Sequence, residues 1–493
     1  MSRTIHLHSG NIIVDATKEK RAHSVTFIAG RVAAIDGEAP QGSLSIDLAG
    51  QTLLPGLIDS HLHMTLGSTG AGDVNLAHCS CRENFEALLL EHENSLQPDQ
   101  WLIASGWSEH ALGETPTIDW VNCIKDRPVL CWRTDFHAAI LNDEALRCLH
   151  LQDISEVVGG EQCKHGVIKE TALWEHVIPV IPKPTEEQMK SRLQSLAHSL
   201  HADGITLVGT MEHLIDAEQF LFPLRHALSI RMRLMVFDKP SAMTFERCHV
   251  LDDSFLKVTG FKTFIDGTLG SRTAKMYAQY CDVESTGLFV EYAQDNELQQ
   301  WVDRVVQGGF APVMHAIGDH AVGVALSSLT SVDQQVEARI EHAQFIDRQN
   351  MKEIDGQWFG VQPLHKSADD AIAVQAVGVE RAKHLHDWRA MLDQGAKLSF
   401  GSDWPIAPHT PIEAMSAAIR AGVSVREALV ATTAGAADSL REPRAGRLDI
   451  GCYADATMVD CDPFDCDWSR ALPTILMTIV NGELQYEKVQ KND

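Results

Sequence analysis

Short apolar runs alternate with amphipathic stretches along the middle of this chain of 493 residues. Runs of this length predict buried parallel strands, and strands that alternate with helices predict an α/β fold. Eight successive runs predict a (β/α)₈ barrel of the TIM type. The predicted barrel strands are residues 57–61, 205–211, 231–236, 259–265, 311–315, 338–342, 359–362 and 397–401.

A helix between the first two predicted strands has a clear beginning. Thr185 is followed three residues later by Gln188, which is a capping-box pattern. Apolar side chains then recur at helical spacing. They are Met189, Leu193, Leu196 and Leu200.

The two ends of the chain show strand-like patterns. Residues 24–28 and 32–35 flank a hairpin signal at Ala29 and Gly30, and Asn481-Gly482 is a strong hairpin turn near the other end. Neither end has enough apolar residues for a core of its own. We therefore expect residues 1–54 and 445–493 to form one small β-sandwich domain, with the barrel at 55–444 between them.

The first two predicted strands are separated by residues 62–204, far more than an ordinary connection between a strand and a helix needs. Residues from about 68 to 175 are therefore predicted to be an inserted subdomain over the barrel mouth, with a strand at 128–133. Pocket shape should depend on this insertion, because loops at the carboxyl ends of barrel strands build the active site.

Composition narrows the functional class. The formal net charge of −26 disfavours nucleic acid and anionic membranes as partners, and no apolar run approaches the roughly 20 residues of a membrane span. The N-terminus lacks the pattern of a signal peptide, and the 11 cysteines are scattered without a CxxC pair. We expect a cytoplasmic protein with reduced thiols and a small-molecule substrate, with a homodimer as the default oligomeric state.

Candidate chemistry lies at the ends of the predicted strands. His61 and His63 end the first strand, and side chains two residues apart in a strand point to one face, as two ligands of one metal require. Further polar residues follow at later strand ends, where barrel active sites lie. They are Lys262 or Asp266 on the fourth strand, His315 on the fifth, His342 on the sixth and Asp403 on the eighth. Four histidines and an aspartate in these places predict a metal centre.

The order HxH, Lys, His, His, Asp resembles that of the amidohydrolase superfamily, and the chain looks most like its YtcJ-like branch, amidohydrolase family 3. The segment KTFIDGTLGSRTA at 262–274 is the most specific part of the resemblance. The resemblance covers essentially the whole chain. The other matching segments are 55–63, 106–109, 166–170, 315–319, 340–344, 362–365, 401–405 and 446–460.

The resemblance implies roles for these residues. His61, His63 and Asp403 would bind the more buried metal, while His315 and His342 would bind a second. Lys262 matches the position at which many superfamily members carry a carboxylated lysine that bridges two metals. The alternative is an unmodified Lys262 with a single metal. Zinc suits imidazole and carboxylate ligands, although manganese, iron and cobalt stay open.

The expected reaction is hydrolysis of a non-peptide carbon–nitrogen bond, in an amide or cyclic amide, by a metal-activated hydroxide. Asp403 would take the proton of the attacking hydroxide and return it to the leaving nitrogen, and His342 would share the catalytic centre. Two alternatives stay open: a deaminase or ester or lactone hydrolase on the same site, and a non-catalytic scaffold of the same fold.

Weaker candidates surround this set. His137, His365 and Arg272 are predicted substrate contacts; before His137, Phe136 stands where the family pattern has a glycine. Trp107 is a further, weak candidate for a substrate contact, and is expected in the core or the pocket wall rather than at a specific contact. Asp319 is expected to support the loop that follows His315.

Overall fold

The computed structural model describes residues 4–70, 74–97, 100–149, 154–182, 184–291 and 297–488. Within these ranges the chain forms strands numbered here in chain order. They are β1 (Ile5–Asp15), β2 (Lys20–Ile28), β3 (Arg31–Ile35), β4 (Leu44–Asp47), β5 (Thr52–Pro55), β6 (Leu57–Leu62), β7 (Val74–Asn75), β8 (Leu102–Trp107), β9 (Val129–Arg133), β10 (Ala138–Leu141), β11 (Val167–Lys169), β12 (Ile205–Glu212), β13 (Arg231–Val236), β14 (Leu256–Phe264), β15 (Ala311–Ala316), β16 (Arg339–His342), β17 (Trp358–Val361), β18 (Lys397–Phe400), β19 (Ala456–Val459), β20 (Ile475–Val480) and β21 (Glu483–Glu487).

The α-helices of the described residues are numbered in the same way. They are α1 (Met64–Gly70), α2 (Arg82–Glu93), α3 (Glu109–Leu112), α4 (Ile118–Val121), α5 (Asp143–Arg147), α6 (Glu170–Ala172), α7 (Glu186–Ala202), α8 (Leu214–Asp216), α9 (Phe222–Leu224), α10 (Ala242–Val250), α11 (Glu297–Gln307), α12 (Asp319–Leu329), α13 (Lys366–Ala382), α14 (Trp388–Asp393), α15 (Pro411–Arg420), α16 (Val425–Ala431) and α17 (Ala434–Ser439).

Eight parallel strands, β6 and β12 to β18, form the TIM-type barrel that the sequence predicts. Each predicted strand is present, with ends that differ by a few residues. The first and last strands meet at their carboxyl ends. There the Asp403 amide donates to the His61 carbonyl at 2.7 Å, and the His63 amide donates to the Trp404 carbonyl at 2.8 Å. The residues that close the barrel are therefore also its candidate metal ligands.

The chain ends form one hydrogen-bonded sheet in the order β21-β20-β19-β5-β1-β2-β3, with β4 beside β1. Its hydrophobic core takes side chains from both ends, such as Val25, Phe27 and Ile479. Both predicted hairpin turns have the positive φ angles of type I′: 52° and 73° at Ala29 and Gly30, and 55° and 72° at Asn481 and Gly482. The extra domain from the two chain ends is thus confirmed.

A five-stranded sheet, β11-β10-β9-β8-β7, lies between β6 and β12 along the chain. The strand predicted at 128–133 is β9. Side chains from the barrel loops, Leu66 and Ile406, pack against one of the two hydrophobic clusters of this region. The insertion therefore touches loops at the same end of the barrel as the candidate ligands.

Helix α7 begins as predicted. The Gln188 amide donates to the Thr185 hydroxyl at 3.3 Å, and the Thr185 amide donates to the Gln188 side chain at 2.9 Å. Met189 and Leu193 are buried on the face that packs against the barrel. Among the described residues no helix is long and apolar enough to cross a membrane.

The expectation that all cysteines are reduced is wrong for one pair. Cys461 and Cys466 form a disulfide across a short turn, with Cα atoms 6.7 Å apart. The expectation rested on the lack of a CxxC pair, but a turn brings two cysteines five residues apart within bonding reach as well. The other nine cysteines are free, and five of them are buried.

Candidate metal centre at the barrel mouth

His61, His63 and Asp403 form a buried cluster at the junction of β6 and β18. Asp403 Oδ1 lies 3.2 Å from His61 Nε2 and 3.0 Å from His63 Nε2. Asp403 has a φ of 60°, a left-handed conformation that turns the chain after β18. Gly401 allows the close approach, since a Cβ there would lie 2.4 Å from His61 Cβ. Two imidazole nitrogens and one carboxylate oxygen thus converge, as a divalent metal requires.

Electrostatics at this cluster favour an ionised carboxylate. Burial alone would raise the pKa of Asp403, but His61, His63 and His342 hold that pKa well below its usual range. An ionised carboxylate surrounded by imidazoles is a strong ligand for a cation and an available acceptor for a proton.

Glu341 is a part of the centre that the sequence reasoning missed. Its Oε2 lies 2.5 Å from His61 Nδ1, so His61 donates its Nδ1 proton and leaves Nε2 free to face Asp403. Burial alone would raise the pKa of Glu341, but Arg339, His61 and Lys262 lower it to about 2. A carboxylate that fixes the tautomer of a ligand histidine strengthens that ligand.

His342 is oriented in a similar way by an amide. Its Nδ1 donates to Gln362 Oε1 at 2.8 Å, which leaves Nε2 without a proton. His342 and Ala343 have φ angles of 71° and 43°, so the chain turns sharply where β16 ends. The rings of His342 and His315 are 4.4 Å apart between centroids, and those of His342 and His61 are 5.0 Å apart. The structure thus brings together all four predicted histidine ligands.

Lys262 lies among these residues on β14. Its side chain is buried, and its Nζ has no hydrogen-bond partner within the described part of the chain. Burial lowers the pKa of Lys262 to about 8, against the opposing charges of Glu341 and Asp403. A buried amine in this state is partly neutral near physiological pH, which is the form that reacts with carbon dioxide.

The loop that follows His315 is held by Asp266. The amides of Ile317 and Gly318 donate to the Asp266 carboxylate at 2.9 and 2.8 Å, and Asp266 Oδ1 lies 3.8 Å from His315 Nε2. Asp319, the predicted support, accepts instead from the Tyr277 amide at 2.9 Å. The sequence named Asp266 as an alternative to Lys262 among the ligands; its oxygens are engaged by backbone amides.

Two of the predicted substrate contacts face the centre. His365 shares a ligand cluster with His342 and Asp403, and its Nε2 is buried without a hydrogen-bond partner among the described residues. His137 lies on the inserted subdomain, 5.3 Å from the His315 ring between centroids. Phe136, in the place of the family glycine, takes the left-handed conformation with a φ of 58°.

A buried carboxylate fixes His137. Glu170 Oε2 lies 2.8 Å from His137 Nδ1, and Thr273 donates to Glu170 Oε1 at 2.7 Å. Burial opposes the charged imidazole, but Glu170, Asp135 and Asp403 together raise the pKa of His137. Asp135 links the same subdomain to the barrel loop, because Thr268 donates to it at 2.7 Å.

The other two predicted contacts are engaged elsewhere. Arg272 makes an ion pair with Asp282 at 2.6 Å and donates to two backbone carbonyls of its own loop. Trp107 lies in the core of the inserted subdomain, where its indole donates to the Cys131 carbonyl at 2.7 Å. Their roles as substrate contacts stay predictions without a contact that supports them.

The donor set fits a transition metal. Imidazole nitrogens and a low-pKa carboxylate suit zinc and its neighbours in the first row, and Glu341 and Gln362 bond the second nitrogens of His61 and His342. Lys262 adds a buried group that nothing in the described chain satisfies. The residues present therefore fit a bound metal.

The sequence profile of the amidohydrolase family matches residues 45–486. The amidohydrolase YtcJ of Bacillus subtilis is 26% identical over 90% of this chain and 90% of its own length, and an N-substituted formamide deformylase of Arthrobacter pascens is 23% identical over 99% of both. Among solved structures, a metal-dependent hydrolase of Pyrococcus horikoshii has a TM-score of 0.76 and 25% identity, and covers 95% of this chain and 99% of its own.

Proposed function

The chain belongs to the amidohydrolase family of metal-dependent hydrolases, and we propose that it hydrolyses a non-peptide carbon–nitrogen bond in an amide or cyclic amide. The observation that carries this proposal is the convergence of His61 and His63 on Asp403 beside Lys262, whose Nζ has no hydrogen-bond partner among the described residues. The full-length similarity to a relative named for removing formyl groups from N-substituted formamides supports the type of bond. The substrate is then a small molecule.

The metal would be held by His61, His63 and Asp403, with His315 and His342 at a second position and Lys262, as its carbamate, between the two. Zinc is the proposed metal, because the donors are imidazole and carboxylate. When bound, such a metal polarises a carbonyl oxygen and lowers the pKa of water from about 15.7 to near 7.

The chain's own residues handle the proton. Asp403 is ionised, buried and within reach of both ligand imidazoles, so its carboxylate accepts the proton of the attacking water and then returns it to the leaving nitrogen. Glu341 and Gln362 hold His61 and His342 in single tautomers throughout. Leu66 and Ile406 of the barrel pack against the inserted subdomain at this end of the barrel, and this cover would limit the entry of bulk water.

The first experiment is elemental analysis of protein purified without chelators, followed by a substrate panel. Two equivalents of a transition metal would support the bridged pair, and one equivalent would support a mononuclear site with unmodified Lys262. Amides, cyclic amides, esters, lactones and amino-substituted heterocycles with matched substituents should separate the proposed reaction from ester hydrolysis and deamination. Protein that neither retains nor regains metal would point to a non-catalytic scaffold.

Asp403→Asn provides the test of mechanism. The substitution should lower kcat by at least about 10³-fold, because an amide cannot take the proton. Metal content must be measured on the same sample, since Asp403 is also a proposed ligand. Asp319→Asn is the control, because Asp319 bonds the Tyr277 amide and lies outside the ligand set. Near wild-type turnover by the Asp403 variant would refute the assigned role.

A further inference from the structure

Three half-buried aromatic side chains, Trp174, Phe237 and Phe264, form a continuous surface that we call the aromatic wall. The centroids of Trp174 and Phe264 are 4.8 Å apart, and those of Phe264 and Phe237 are 5.8 Å apart with ring planes at 22°. The three rings come from separate parts of the chain. Trp174 lies in a π-helical turn of the inserted subdomain, Phe237 follows β13 and Phe264 ends β14.

The aromatic wall lies directly beside the proposed metal ligands. Phe237 stacks parallel to His63, with a centroid distance of 6.1 Å and an angle of 10°. Phe264 lies 5.3 Å from the His315 ring. A group bound at the ligand cluster would therefore have the wall on one side.

The wall also joins two separate hydrophobic cores. Trp174 packs at the edge of a core in the inserted subdomain, and Phe237 packs at the edge of the core inside the barrel. Trp174 and Phe237 thus each have one packed side and retain exposed area. Partly exposed aromatic surface beside candidate metal ligands is typical of ligand contact, since ligand sites are lined mainly by aromatic and aliphatic side chains.

Several charged groups near the wall have partners within the described residues. Glu212 is bonded to the hydroxyls of Thr65 and Thr210, and Asp238 accepts from the Leu214 amide. Arg272, one of the predicted substrate contacts, is paired with Asp282. Two cations lie near the rings. His137 is 5.3 Å from Trp174 between centroids and is paired with Glu170, and Lys262 Nζ is 5.4 Å from the Phe264 centroid and lies among the metal ligands.

We propose that the substrate carries a flat, uncharged aromatic group that stacks on the aromatic wall while its scissile bond lies at the ligand cluster. This inference rests on the proposed hydrolase function and specifies the substrate class. An aromatic substituent is favoured over a small alkyl one because stacking adds to the burial of area. A carboxylate-bearing substituent is disfavoured because it would lose its hydration against apolar rings, while of the two nearby cations His137 is already paired with Glu170 and Lys262 lies among the metal ligands.

The test uses three formamides that share one scissile bond: N-(2-phenylethyl)formamide, N-propylformamide and N-(2-carboxyethyl)formamide. For the metal-loaded wild-type protein, kcat/KM for the phenyl compound should exceed that for the propyl compound by about tenfold or more. Trp174→Ala should remove most of this preference, mainly through KM, and Trp174→Phe should retain it. Tyr277→Ala is the matched control, because this exposed aromatic residue stacks on His320 away from the wall.

The outcomes test the aromatic preference of the wall separately from the proposed hydrolysis. Equal kcat/KM for the phenyl and carboxyethyl compounds, or an equal loss on all three in Trp174→Ala, would overturn the inference. If none of the three is hydrolysed, the proposed function fails for this bond, and calorimetric binding of the same compounds to the metal-loaded protein decides the question. Tighter binding of the phenyl compound that Trp174→Ala abolishes would support the wall; equal or absent binding would overturn it.

Discussion

Glu341 joins a buried arginine to a candidate metal ligand: its Oε2 lies 2.5 Å from His61 Nδ1, and its Oε1 lies 2.9 Å from Arg339 Nε. All three side chains are almost fully buried. The carboxylate therefore has two functions. It neutralises Arg339 inside the barrel, and it fixes the tautomer in which His61 directs Nε2 at the metal position.

Glu341→Gln should weaken metal binding by about 10- to 100-fold, because the neutral amide is a poorer acceptor for the His61 Nδ1 proton. A competitive titration with a chromogenic chelator measures this on folded protein. The variant should also be less stable, since Arg339 loses its ionic partner in a buried position.

Glu442→Gln separates these two effects. Glu442 is another buried carboxylate paired with a buried arginine, with its Oε2 2.7 Å from Arg233 Nη2, and its pKa is lowered to about 2. It bonds no predicted ligand. This control should lower the melting temperature like Glu341→Gln and leave metal affinity unchanged. Equal affinity of both variants would rule out a metal-directed role for Glu341.

Lys262→Met should reduce the metal content from two equivalents to one. Methionine fills the buried space but cannot form a carbamate, so the second metal would lose its bridging ligand. Elemental analysis after loading with metal and bicarbonate makes the measurement. Lys275→Met serves as the control, because Lys275 Nζ is bonded to Thr286 at 2.8 Å instead of facing the ligands. Two equivalents in the Lys262 variant would disprove the bridge.

Asp266→Ala should destabilise the protein by about 3 kcal/mol or more. The amides of Lys275, Ile317 and Gly318 donate to this carboxylate, and removal of their acceptor leaves buried donors without partners. Thermal unfolding should show a clearly lower midpoint than for Asp319→Ala, which removes the acceptor of the Tyr277 amide. The opposite ranking would favour Asp319 as the main support of the His315 loop.

His201 should make stability depend on pH. Burial is the main cause that lowers its pKa to about 4 from 6.5, although its bond to the Ser229 carbonyl opposes the shift. Between pH 4 and pH 6.5, the unfolded chain therefore binds a proton at His201 that the folded chain does not bind. The contribution of His201 to the free energy of unfolding is fully present above pH 6.5. About 3 kcal/mol of this free energy is lost as the pH falls towards 4.

His201→Gln removes this titration and keeps a donor for the Ser229 carbonyl. The free energy of unfolding of the variant, taken relative to that of wild type, should be about 3 kcal/mol higher at pH 4 than at pH 7. Melting temperatures of both proteins across this range check the sign, with His110→Gln at an exposed position of α3 as the control. A constant difference between variant and wild type would contradict the shifted pKa.

Much of the fold followed from local pattern. The eight apolar runs became β6 and β12 to β18 because a strand buried on both faces needs a continuous apolar segment, which the sequence shows directly. The capping box at Thr185 and the turn at Asn481 depend on nearby residues alone. The pairing of His61 with His63 is equally local, since it needs only strand alternation.

The partners of the ligands could not be found in this way. Glu341 precedes His342, and regular alternation would place the two on opposite faces of β16. The φ of 71° at His342 ends that alternation and brings both side chains to the centre. Glu170, which bonds His137, is itself left-handed, with a φ of 45°. Neither conformation has a signal in the residue types, because glutamate and histidine seldom adopt it.

By itself, the sequence determined the α/β class, the eight barrel strands, the joining of the chain ends and the set of residues that meet at the barrel mouth. The tertiary structure decided which groups hold those residues: Glu341 on His61, Gln362 on His342, Asp266 on the His315 loop and the aromatic wall beside them. Secondary structure follows from the periodicity of neighbouring side chains. Hydrogen bonds, ion pairs and ring contacts in the site join residues distant in sequence, and their geometry exists only once the barrel has closed.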